Sequence, residues 1–374
     1  MNNKKQHQIC TKCIMDTTDP EISFDENGVC NHCREFDEVT SKRWFPNDEG
    51  AKKLQAIYEK MKKENAHKDY DCILGLSGGV DSSYLALKLY EAGIRPLVVH
   101  VDGGWNSELA VQNIENIVNY CGWHLHTIVI DWEEMKDLQL AYLKSGIANQ
   151  DVPQDHAFFA SLYHFATKYG VNYVVSGGNL ATESILPSSW GYDAMDATQL
   201  TAIHEKFGNK KLKKYETVSY FKRKIYYPYF KKFRIVKPLD FLPYFKDEAK
   251  ETIKNELNWR DYGGKHHESK FTKFFQAHWL PTKFGFDKRK AHLSSLIVSG
   301  QMTRDEALKE LEKPLYDETE LKEDKEFISK KLGISLEEFE TIMKQPNKTF
   351  LDYPSDYRKD IFFSDLKKKI KKLI

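Results

Sequence analysis

The sequence is poor in the features that mark membrane proteins and secreted, disulfide-rich proteins. None of its apolar stretches approaches the ~20 residues needed to span a bilayer. The amino terminus, Met-Asn-Asn-Lys-Lys-Gln-His-Gln, has no apolar signal-peptide core. Six cysteines among 374 residues are too few for a disulfide framework in a chain of this length. We therefore expect a cytoplasmic protein without a membrane span.

The chain also lacks an excess of either charge. Lys and Arg together number 56 and Asp and Glu 55, so the formal net charge is +1. A balance of this kind does not favour a nucleic-acid-binding protein, although local patches are compatible with it. The 41% hydrophobic content supplies a core, and 374 residues exceed one typical domain of roughly 100–200 residues. We expect three parts: residues 1–45, 46–241 and 242–374.

Four of the six cysteines form two C-x₂-C pairs. Cys10 and Cys13 are followed, after sixteen residues, by Cys30 and Cys33. This spacing is typical of two turns that each present two thiolates to one tetrahedral Zn²⁺. Four sulfur ligands leave no open position on the metal, which indicates a structural ion, and few apolar residues lie between the pairs, so metal binding would supply the stability. Redox pairs and unrelated thiols are the alternatives.

An apolar run, residues 73–76, stops at Ser77-Gly78-Gly79-Val80-Asp81-Ser82-Ser83. The two glycines let backbone N–H groups face a ligand, and the helix that follows adds its positive end, so the stretch predicts a phosphate cradle. The hydroxyls of Ser77, Ser82 and Ser83 add donors. Asp81 is expected to cap the helix or to hold Mg²⁺ against the phosphates. The alternative is a tight strand-to-helix turn without a ligand.

Neither of two better-known phosphate loops fits this stretch. No Gly-Lys-Ser or Gly-Lys-Thr follows the glycines, which excludes a Walker loop, and a third spaced glycine is missing, which excludes a dinucleotide fingerprint.

Strand and helix patterns alternate through the middle of the chain, which predicts a parallel sheet with ligands at the carboxyl ends of its strands. By that rule, Asp102-Gly103-Gly104 and Ser176-Gly177-Gly178-Asn179, which each follow a predicted strand, belong to the same site as the first loop. Asn179 and Glu183 are expected to face the acceptor substrate, with a place in the first turn of a helix as the alternative for Glu183. The predicted strands are 71–76, 96–101, 124–130, 172–175 and 235–239, and the first helices are 82–91 and 108–121.

Two later stretches carry cations. Between Lys206 and Lys237 basic residues are interleaved with aromatic ones, and Glu216 is the only acid. This composition is compatible with binding a nucleic acid or a phosphorylated substrate. It is about as compatible with a solvated face or with contact to an acidic partner protein. Further on, Lys265 and Arg289 could neutralise a departing pyrophosphate, with helix caps and surface charge as the alternative. We expect His266, beside Lys265, to contact the substrate.

The loop Ser77-Gly78-Gly79-Val80-Asp81-Ser82 closely resembles the PP-loop of the ATP pyrophosphatases. The resemblance implies a parallel α/β fold of the adenine nucleotide alpha hydrolase (HUP) type, and ATP cleaved between its α and β phosphates with AMP transferred to a carbonyl oxygen. In relatives of this fold, the strand ahead of Asp102 contacts adenine through its backbone. The resemblance therefore implies ATP contacts from Val101 and Asp102. Gly177 and Gly178 join the predicted ATP site by the strand-end rule, because a glycine pair allows close approach of a ligand.

Four features in one order, from Cys10 to about Leu308, resemble the N-acetyl sugar amidotransferases of bacterial surface-glycan biosynthesis. They are the four-cysteine segment, the PP-loop, Ser-Gly-Gly-Asn, and Tyr-Gly-Gly-Lys-His-His-Glu with Lys-Phe-Gly-Phe-Asp-Lys-Arg. Such enzymes convert an acetamido group to an acetamidino group in lipopolysaccharide O-antigen pathways or on nonulosonic acids. The resemblance implies ATP and Mg²⁺ as cofactors, an N-acetyl sugar that is free, nucleotide-linked or lipid-linked, and separate glutaminase and ammonia-channelling subunits resembling those of imidazole glycerol phosphate synthase.

A PP-loop tRNA thiolation enzyme is the main alternative, because several such enzymes carry zinc-binding cysteine pairs. Sulfur transfer usually needs a reactive cysteine near the loop. Cys72 falls inside the first predicted strand and Cys121 ends a helix. Neither position suits that chemistry, so no nucleic-acid partner is expected.

Overall fold

The computed structural model describes residues 6–264 and 268–373. Its centre is a five-stranded parallel sheet in the order β3-β2-β1-β4-β5. The order reverses beside β1, so a crevice is expected where β1 and its neighbours end. The strands are β1 (Cys72–Gly75), β2 (Pro96–Asp102), β3 (Leu125–Val129), β4 (Tyr173–Val175) and β5 (Arg234–Val236).

Helices surround the sheet and form most of the carboxyl-terminal part. The α-helices are α1 (Asn31–Glu35), α2 (Asp48–Glu64), α3 (Val80–Glu91), α4 (Glu108–Cys121), α5 (Trp132–Ser145), α6 (Val152–Lys168), α7 (Leu180–Glu183), α8 (Ala197–Phe207), α9 (Lys246–Leu257), α10 (Lys270–Phe274), α11 (Lys288–Val298), α12 (Arg304–Leu311), α13 (Glu318–Leu332), α14 (Leu336–Lys344) and α15 (Tyr357–Leu373). The π-helical segments are Phe36–Thr40, Lys222–Phe230 and Phe275–Phe284, and the 3₁₀ turns are Ser41–Arg43, Ser188–Trp190, Pro238–Phe241 and Phe350–Asp352.

The predicted parallel α/β fold is confirmed. Each predicted strand coincides with an observed one, and α4 has the predicted bounds. The predicted strand 235–239 is wrong at its end, because β5 stops at Val236 and Pro238 opens a 3₁₀ turn. Proline has no N–H to continue a ladder, which explains the early end. Helix α3 begins two residues before the predicted Ser82, since Gly79 supplies its extended N-cap.

Successive strand residues bury their side chains on opposite faces of the sheet. Ile73 packs on one face against Leu162 of α6, whereas Leu74 packs on the other in the cluster that contains α3 and α9. Both faces are therefore covered, as the continuous apolar strands require. The covered sheet holds its carboxyl-end loops on a rigid base.

The amino-terminal cysteine segment packs against the carboxyl-terminal helices. Ile14 donates its backbone N–H to Ser294 Oγ of α11 over 3.3 Å. The guanidinium of Arg304 donates to the carbonyl oxygens of Cys10 and Cys13 at 3.3 and 3.1 Å. These contacts join the first and last parts of the chain. The proposed boundaries at residues 45 and 241 stay a prediction.

No helix in the described ranges combines the length and apolar character needed to cross a bilayer. This finding agrees with the expectation that the chain has no membrane span.

Candidate active site

The predicted phosphate cradle lies at the carboxyl end of β1. Gly78 has a φ of +80°, which favours glycine, and a Cβ there would lie 2.6 Å from the carbonyl oxygen of Ala110. Gly79 donates its N–H to Ser77 Oγ over 3.2 Å, and the hydroxyls of Ser77 and Ser82 lie 3.2 Å apart. Gly78 is thus required by the fold of the loop, which leads through Gly79, the N-cap, into the N-terminus of α3.

Asp81 is held in place by two neighbouring side chains. The hydroxyl of Tyr244 and the amide of Asn179 both donate hydrogen bonds to Asp81 Oδ1, the latter over 3.4 Å. Burial, together with the charge of Asp81 and the hydrogen bond to it, raises the pKa of Tyr244, so its hydroxyl stays a donor at neutral pH. Asp81 therefore enters the site with a fixed orientation.

Asn179 caps the short helix α7 as well as contacting Asp81. Its Oδ1 accepts from the backbone N–H of Thr182 over 2.9 Å, and its side chain is buried. The structure thus gives Asn179 a role in positioning Asp81. Its predicted contact with the acceptor substrate stays a prediction.

The third glycine loop lies directly against the first. A Cβ on Gly177 would lie 3.1 Å from the backbone nitrogen of Ser82 and 3.2 Å from the carbonyl carbon of Asp81. Only a residue without a side chain permits this approach. The predicted convergence of the loops after β1 and β4 is therefore present in the fold.

Lys237 lies beside the third glycine loop. The sequence analysis identified it only as the last residue of the basic segment. Its ammonium lies 3.6 Å from the position of a Cβ on Gly178, and Glu183 Oε2 lies 3.5 Å from the same point. Lys237 is exposed and directly follows β5. A lysine just beyond a parallel strand is the sequence signal that would have found it, because strand ends converge at one edge.

The loop after β2 is fixed by Asp102 and His100. Asp102 Oδ1 accepts from the N–H of Gly104 over 2.7 Å and from the amide of Asn106 over 3.2 Å. His100 Nδ1 lies 3.1 Å from the carbonyl oxygen of Leu76, at the start of the PP-loop. Burial lowers the pKa of His100, so the neutral ring links the first two loops. Val101 lies on β2 just ahead of Asp102.

The carboxyl-terminal part closes over the PP-loop. The indole N–H of Trp259 donates to the carbonyl oxygen of Gly78 over 2.8 Å. The Tyr262 hydroxyl and Glu268 Oε1 lie 3.2 and 3.4 Å from the position of a Cβ on Gly79. Burial, then the charges of Glu268 and Asp81, raise the pKa of Tyr262. Segments on both sides of residues 265–267 therefore reach the loop.

The predicted cationic residues differ in whether the structure describes them. Lys265 and His266 lie outside the described residues. Arg289 is described, and its guanidinium contacts the Asp287 carboxylate at 2.8 Å and the carbonyl oxygen of Lys313 at 2.7 Å. These contacts tie the start of α11 to the end of α12. A catalytic role for Arg289 stays a prediction.

The four paired cysteines converge, and all are buried. Their sulfur atoms lie within 4.8 Å of one another, with Cys10 and Cys33 4.0 Å apart and Cys13 and Cys30 3.7 Å apart. A tetrahedron with metal–sulfur bonds of about 2.3 Å has edges of about 3.8 Å. Backbone N–H groups of Lys12 and Cys30 point at Cys10 Sγ over 3.4 and 3.2 Å. The donor set therefore fits one tetrahedral metal ion.

Five of the twelve basic residues between Lys206 and Lys237 form ion pairs with acids elsewhere in the chain. These ion pairs weaken the positive field that a nucleic acid would need. The pairs are Lys210 with Glu133, Lys214 with Asp131, Arg223 with Asp193, Lys224 with Asp360 and Arg234 with Glu64.

Comparison with known proteins finds a family model that matches the carboxyl-terminal part of the chain. Residues 268–367 match the family model described as LPS biosynthesis protein WbpG-like, C-terminal domain. The predicted resemblance is confirmed for this region. The WbpG-like region begins at Glu268, whose side chain lies beside Gly79 and whose carbonyl oxygen accepts the N–H of Ser107 over 2.8 Å. It thus packs directly on the PP-loop domain.

Three further proteins are similar to longer parts of the chain, at low sequence identity. The uncharacterized protein MJ1599 of Methanocaldococcus jannaschii is 24% identical over 315 residues, which cover 82% of this chain and 93% of that protein. The solved NMN synthetase of Francisella tularensis is 15% identical, with a TM-score of 0.30, and covers 59% of this chain and 94% of its own. The U34-tRNA thiolase NcsA of Methanococcus maripaludis, solved with its 4Fe-4S cluster, is 15% identical, with a TM-score of 0.34, and covers 82% and 88%.

Proposed function

We propose that the protein is an ATP-dependent amidotransferase that converts the acetamido group of a bacterial surface-glycan sugar to an acetamidino group. The observation that carries the proposal is the packing of the WbpG-like region on a complete PP-loop: Glu268 lies beside Gly79, above the N-terminus of α3. The loop supplies a phosphate site, and the matched region associates it with lipopolysaccharide biosynthesis.

The chemistry explains why such an enzyme needs ATP. An amide carbonyl is a poor electrophile, and its oxygen is a poor leaving group. In the first step the acetamido oxygen attacks the α-phosphorus of ATP, and the bond to pyrophosphate breaks. In the second step ammonia attacks the resulting imidate carbon, and the carbon–oxygen bond breaks to release AMP. Each step needs its reactants positioned and negative charge neutralised.

The residues described here suit the first step. The backbone N–H group of Gly78 and the positive end of α3 would bind the phosphates. Lys237, exposed beside Gly178, would neutralise charge as pyrophosphate departs. Asp81, oriented by Tyr244, would hold Mg²⁺, which supplies charge neutralisation at the phosphates. Val101 and Asp102 would line the adenine site.

The cysteine cluster would hold Zn²⁺. Four buried sulfur atoms at tetrahedral separations, with no oxygen or nitrogen ligand among them, fit a closed structural site. Because the segment packs on α11 and α12, the metal would stabilise the WbpG-like region.

We further propose that a separate glutaminase supplies ammonia through a channelling subunit. Ammonia is mostly protonated at neutral pH and is lost to solvent if it is free. In this chain the four paired cysteines form the cluster that would hold Zn²⁺, and Cys72 and Cys121 are buried. None of the six is therefore placed as a glutaminase nucleophile.

A direct test incubates the protein with ATP, Mg²⁺, ammonium and N-acetyl sugars in free, nucleotide-linked and lipid-linked forms, and follows sugar mass and nucleotide products. Replacement of the acetamido oxygen by NH lowers the mass of the sugar by about one dalton. Amide hydrolysis cannot produce this change. We expect AMP and pyrophosphate to form together with the acetamidino sugar. Product from glutamine alone would refute the separate glutaminase.

Transfer of sulfur into tRNA is the outcome that would favour the alternative. Burial raises the pKa of Cys72, and it raises the pKa of Cys121 to about 12. A persulfide carrier needs an accessible, low-pKa thiol. Neither cysteine has that environment, so we expect no sulfur incorporation.

A further inference from the structure

One face of helix α6 packs on the sheet and continues toward the loops at the carboxyl ends of the strands. Asp151, the N-cap of α6, and Asp155, Phe158 and Leu162 follow a spacing of four, three and four residues, which places them on one helix face. A Cβ on Gly75, the last residue of β1, would lie 2.3 Å from the ring of Phe158 and 3.3 Å from a methyl of Leu162. This side of α6 therefore faces the sheet at the end of β1.

The N-terminus of α6 lies at the loop edge of the sheet. The helix leads directly into β4, which is parallel to β1, so α6 runs against the strands. Gln154, in its first turns, lies 3.4 Å from the position of a Cβ on Gly103 in the loop after β2. Asp155 lies one turn, about 4.5 Å, beyond Phe158 in the same direction. Asp155 therefore lies beyond the end of β1, in the direction of the PP-loop.

Asp155 is open to solvent, although it lies on the sheet-facing side of α6. Asp151, by contrast, is buried and accepts a hydrogen bond from Thr272 Oγ1 over 3.0 Å. Within residues 6–264 and 268–373, no hydrogen bond or ion pair engages the Asp155 carboxylate. Asp155 therefore presents an accessible carboxylate, unengaged within those ranges, on the helix face that runs toward the loops.

The charged groups around Asp155 come from three elements. Asp151 precedes it on the same helix face, Lys288 begins α11, and the Tyr215 hydroxyl donates to the Pro153 carbonyl oxygen over 2.6 Å. Surrounding protein removes water from the carboxyl and, with the charge of Asp151, raises the pKa of Asp155 to about 7, while Lys288 lowers it.

We propose that Asp155 is the catalytic base that accepts a proton from the attacking nitrogen in the second step of the reaction. The inference rests on the proposed function. Ammonia adds to the protonated imidate carbon, and the new nitrogen carries one proton too many. That proton passes to the Asp155 carboxylate. The nitrogen lone pair then forms the amidinium double bond as the carbon–oxygen bond breaks and AMP leaves with that pair of electrons. Asp155 returns the proton to solvent.

The test separates the two steps in the full-length protein. Sugar-dependent exchange of labelled pyrophosphate into ATP reports the first step, and amidine formed from ammonium reports the second. We expect Asp155→Asn to lower amidine formation on the order of 10²-fold or more and exchange by only a few-fold. The matched control is Asp247→Asn, which removes an exposed carboxylate from the first turn of α9.

The pH profile gives a second readout. Total ammonium is increased as the pH is lowered, so that the concentration of free ammonia stays constant. Under that condition wild-type amidine formation should fall as pH decreases through about 7, because the base becomes protonated. This limb should be absent in Asp155→Asn. Hydroxylamine should restore much of the variant's rate, because the nitrogen of its adduct is more acidic than that of ammonia and loses its proton to water without a base. Amidine formation within a few-fold of wild type, with intact exchange, would overturn the role of Asp155 alone. No sugar-dependent exchange in the wild type would overturn the proposed function and this role together.

Discussion

The hydroxyl of Tyr244 donates a hydrogen bond to Oδ1 of Asp81, across 163 positions of sequence. Tyr244 precedes α9, and Asp81 lies in the first turn of α3, so the contact joins the carboxyl-terminal part to the PP-loop. Both helices pack in one cluster. The orientation of the proposed Mg²⁺ ligand therefore depends on a residue far outside the loop.

We predict that Tyr244→Phe raises the Mg²⁺ concentration needed for half-maximal turnover and lowers kcat/KM for ATP on the order of tenfold, because Asp81 loses a fixed donor. Titration of pyrophosphate release against Mg²⁺ measures both. The control is Tyr58→Phe, which removes a buried hydroxyl without a hydrogen-bond partner in the described ranges. An unchanged Mg²⁺ dependence in Tyr244→Phe would remove this role from Tyr244.

Gly177→Ala should weaken ATP use without unfolding the protein. The added Cβ would lie 3.1 Å from the backbone nitrogen of Ser82, so the loops after β1 and β4 must separate. A displacement of this kind is expected to lower kcat/KM for ATP on the order of 10²-fold. Gly191→Ala is the control, since its Cβ would meet only Asn149 Nδ2 at 3.8 Å. Equal kinetics in the two variants would show that close loop contact is dispensable.

Metal removal should loosen the WbpG-like region as well as the cysteine segment. We predict one equivalent of zinc per chain, and we predict that Cys30→Ser or chelation lowers Tm and speeds amide hydrogen exchange in α11. The reason is that a binding free energy on the order of 10 kcal/mol is lost at a segment that contacts Ser294 and Arg304. Cys121→Ser is the control. Less than half an equivalent of zinc, or iron–sulfur absorbance, would contradict the assignment.

Stability should fall in mild acid partly through His100. Burial lowers its pKa in the folded state, so below the unfolded pKa of about 6.5 the unfolded chain binds the extra proton. Its contribution is present above that pH and is lost below it, by up to about 1.4 kcal/mol per pH unit. We predict that His100→Gln has a flatter free energy of unfolding between pH 7 and 5 than the exposed control His124→Gln. Parallel pH profiles would argue against it.

The sequence predicts the parallel sheet, its three glycine loops and the cysteine cluster because each depends on local spacing. A strand of apolar residues, two glycines after it, or two C-x₂-C pairs are visible within a few positions. Cys10 to Cys33 and Ser77 to Ser83 therefore lie where the pattern indicates.

The sequence misses the residues whose placement depends on long-range packing. Tyr244 reaches Asp81 because α9 packs beside α3, and Trp259 reaches Gly78 for the same reason. Asp155 lies on the sheet-facing side of α6, in the part of the helix that continues past the end of β1. Only the register of α6 on β1 reveals this position. Local patterns do not contain that register.

The central claim is that the acetamido oxygen of the sugar attacks the α-phosphorus of ATP, and isotope transfer tests it most directly. The protein is incubated with ATP, Mg²⁺, ammonium and an N-acetyl sugar whose acetamido oxygen is ¹⁸O, and AMP is examined by mass spectrometry. The account predicts one ¹⁸O atom in AMP for each acetamidino group formed. Acetamidino product accompanied by unlabelled AMP, or by ADP with labelled orthophosphate, would contradict it.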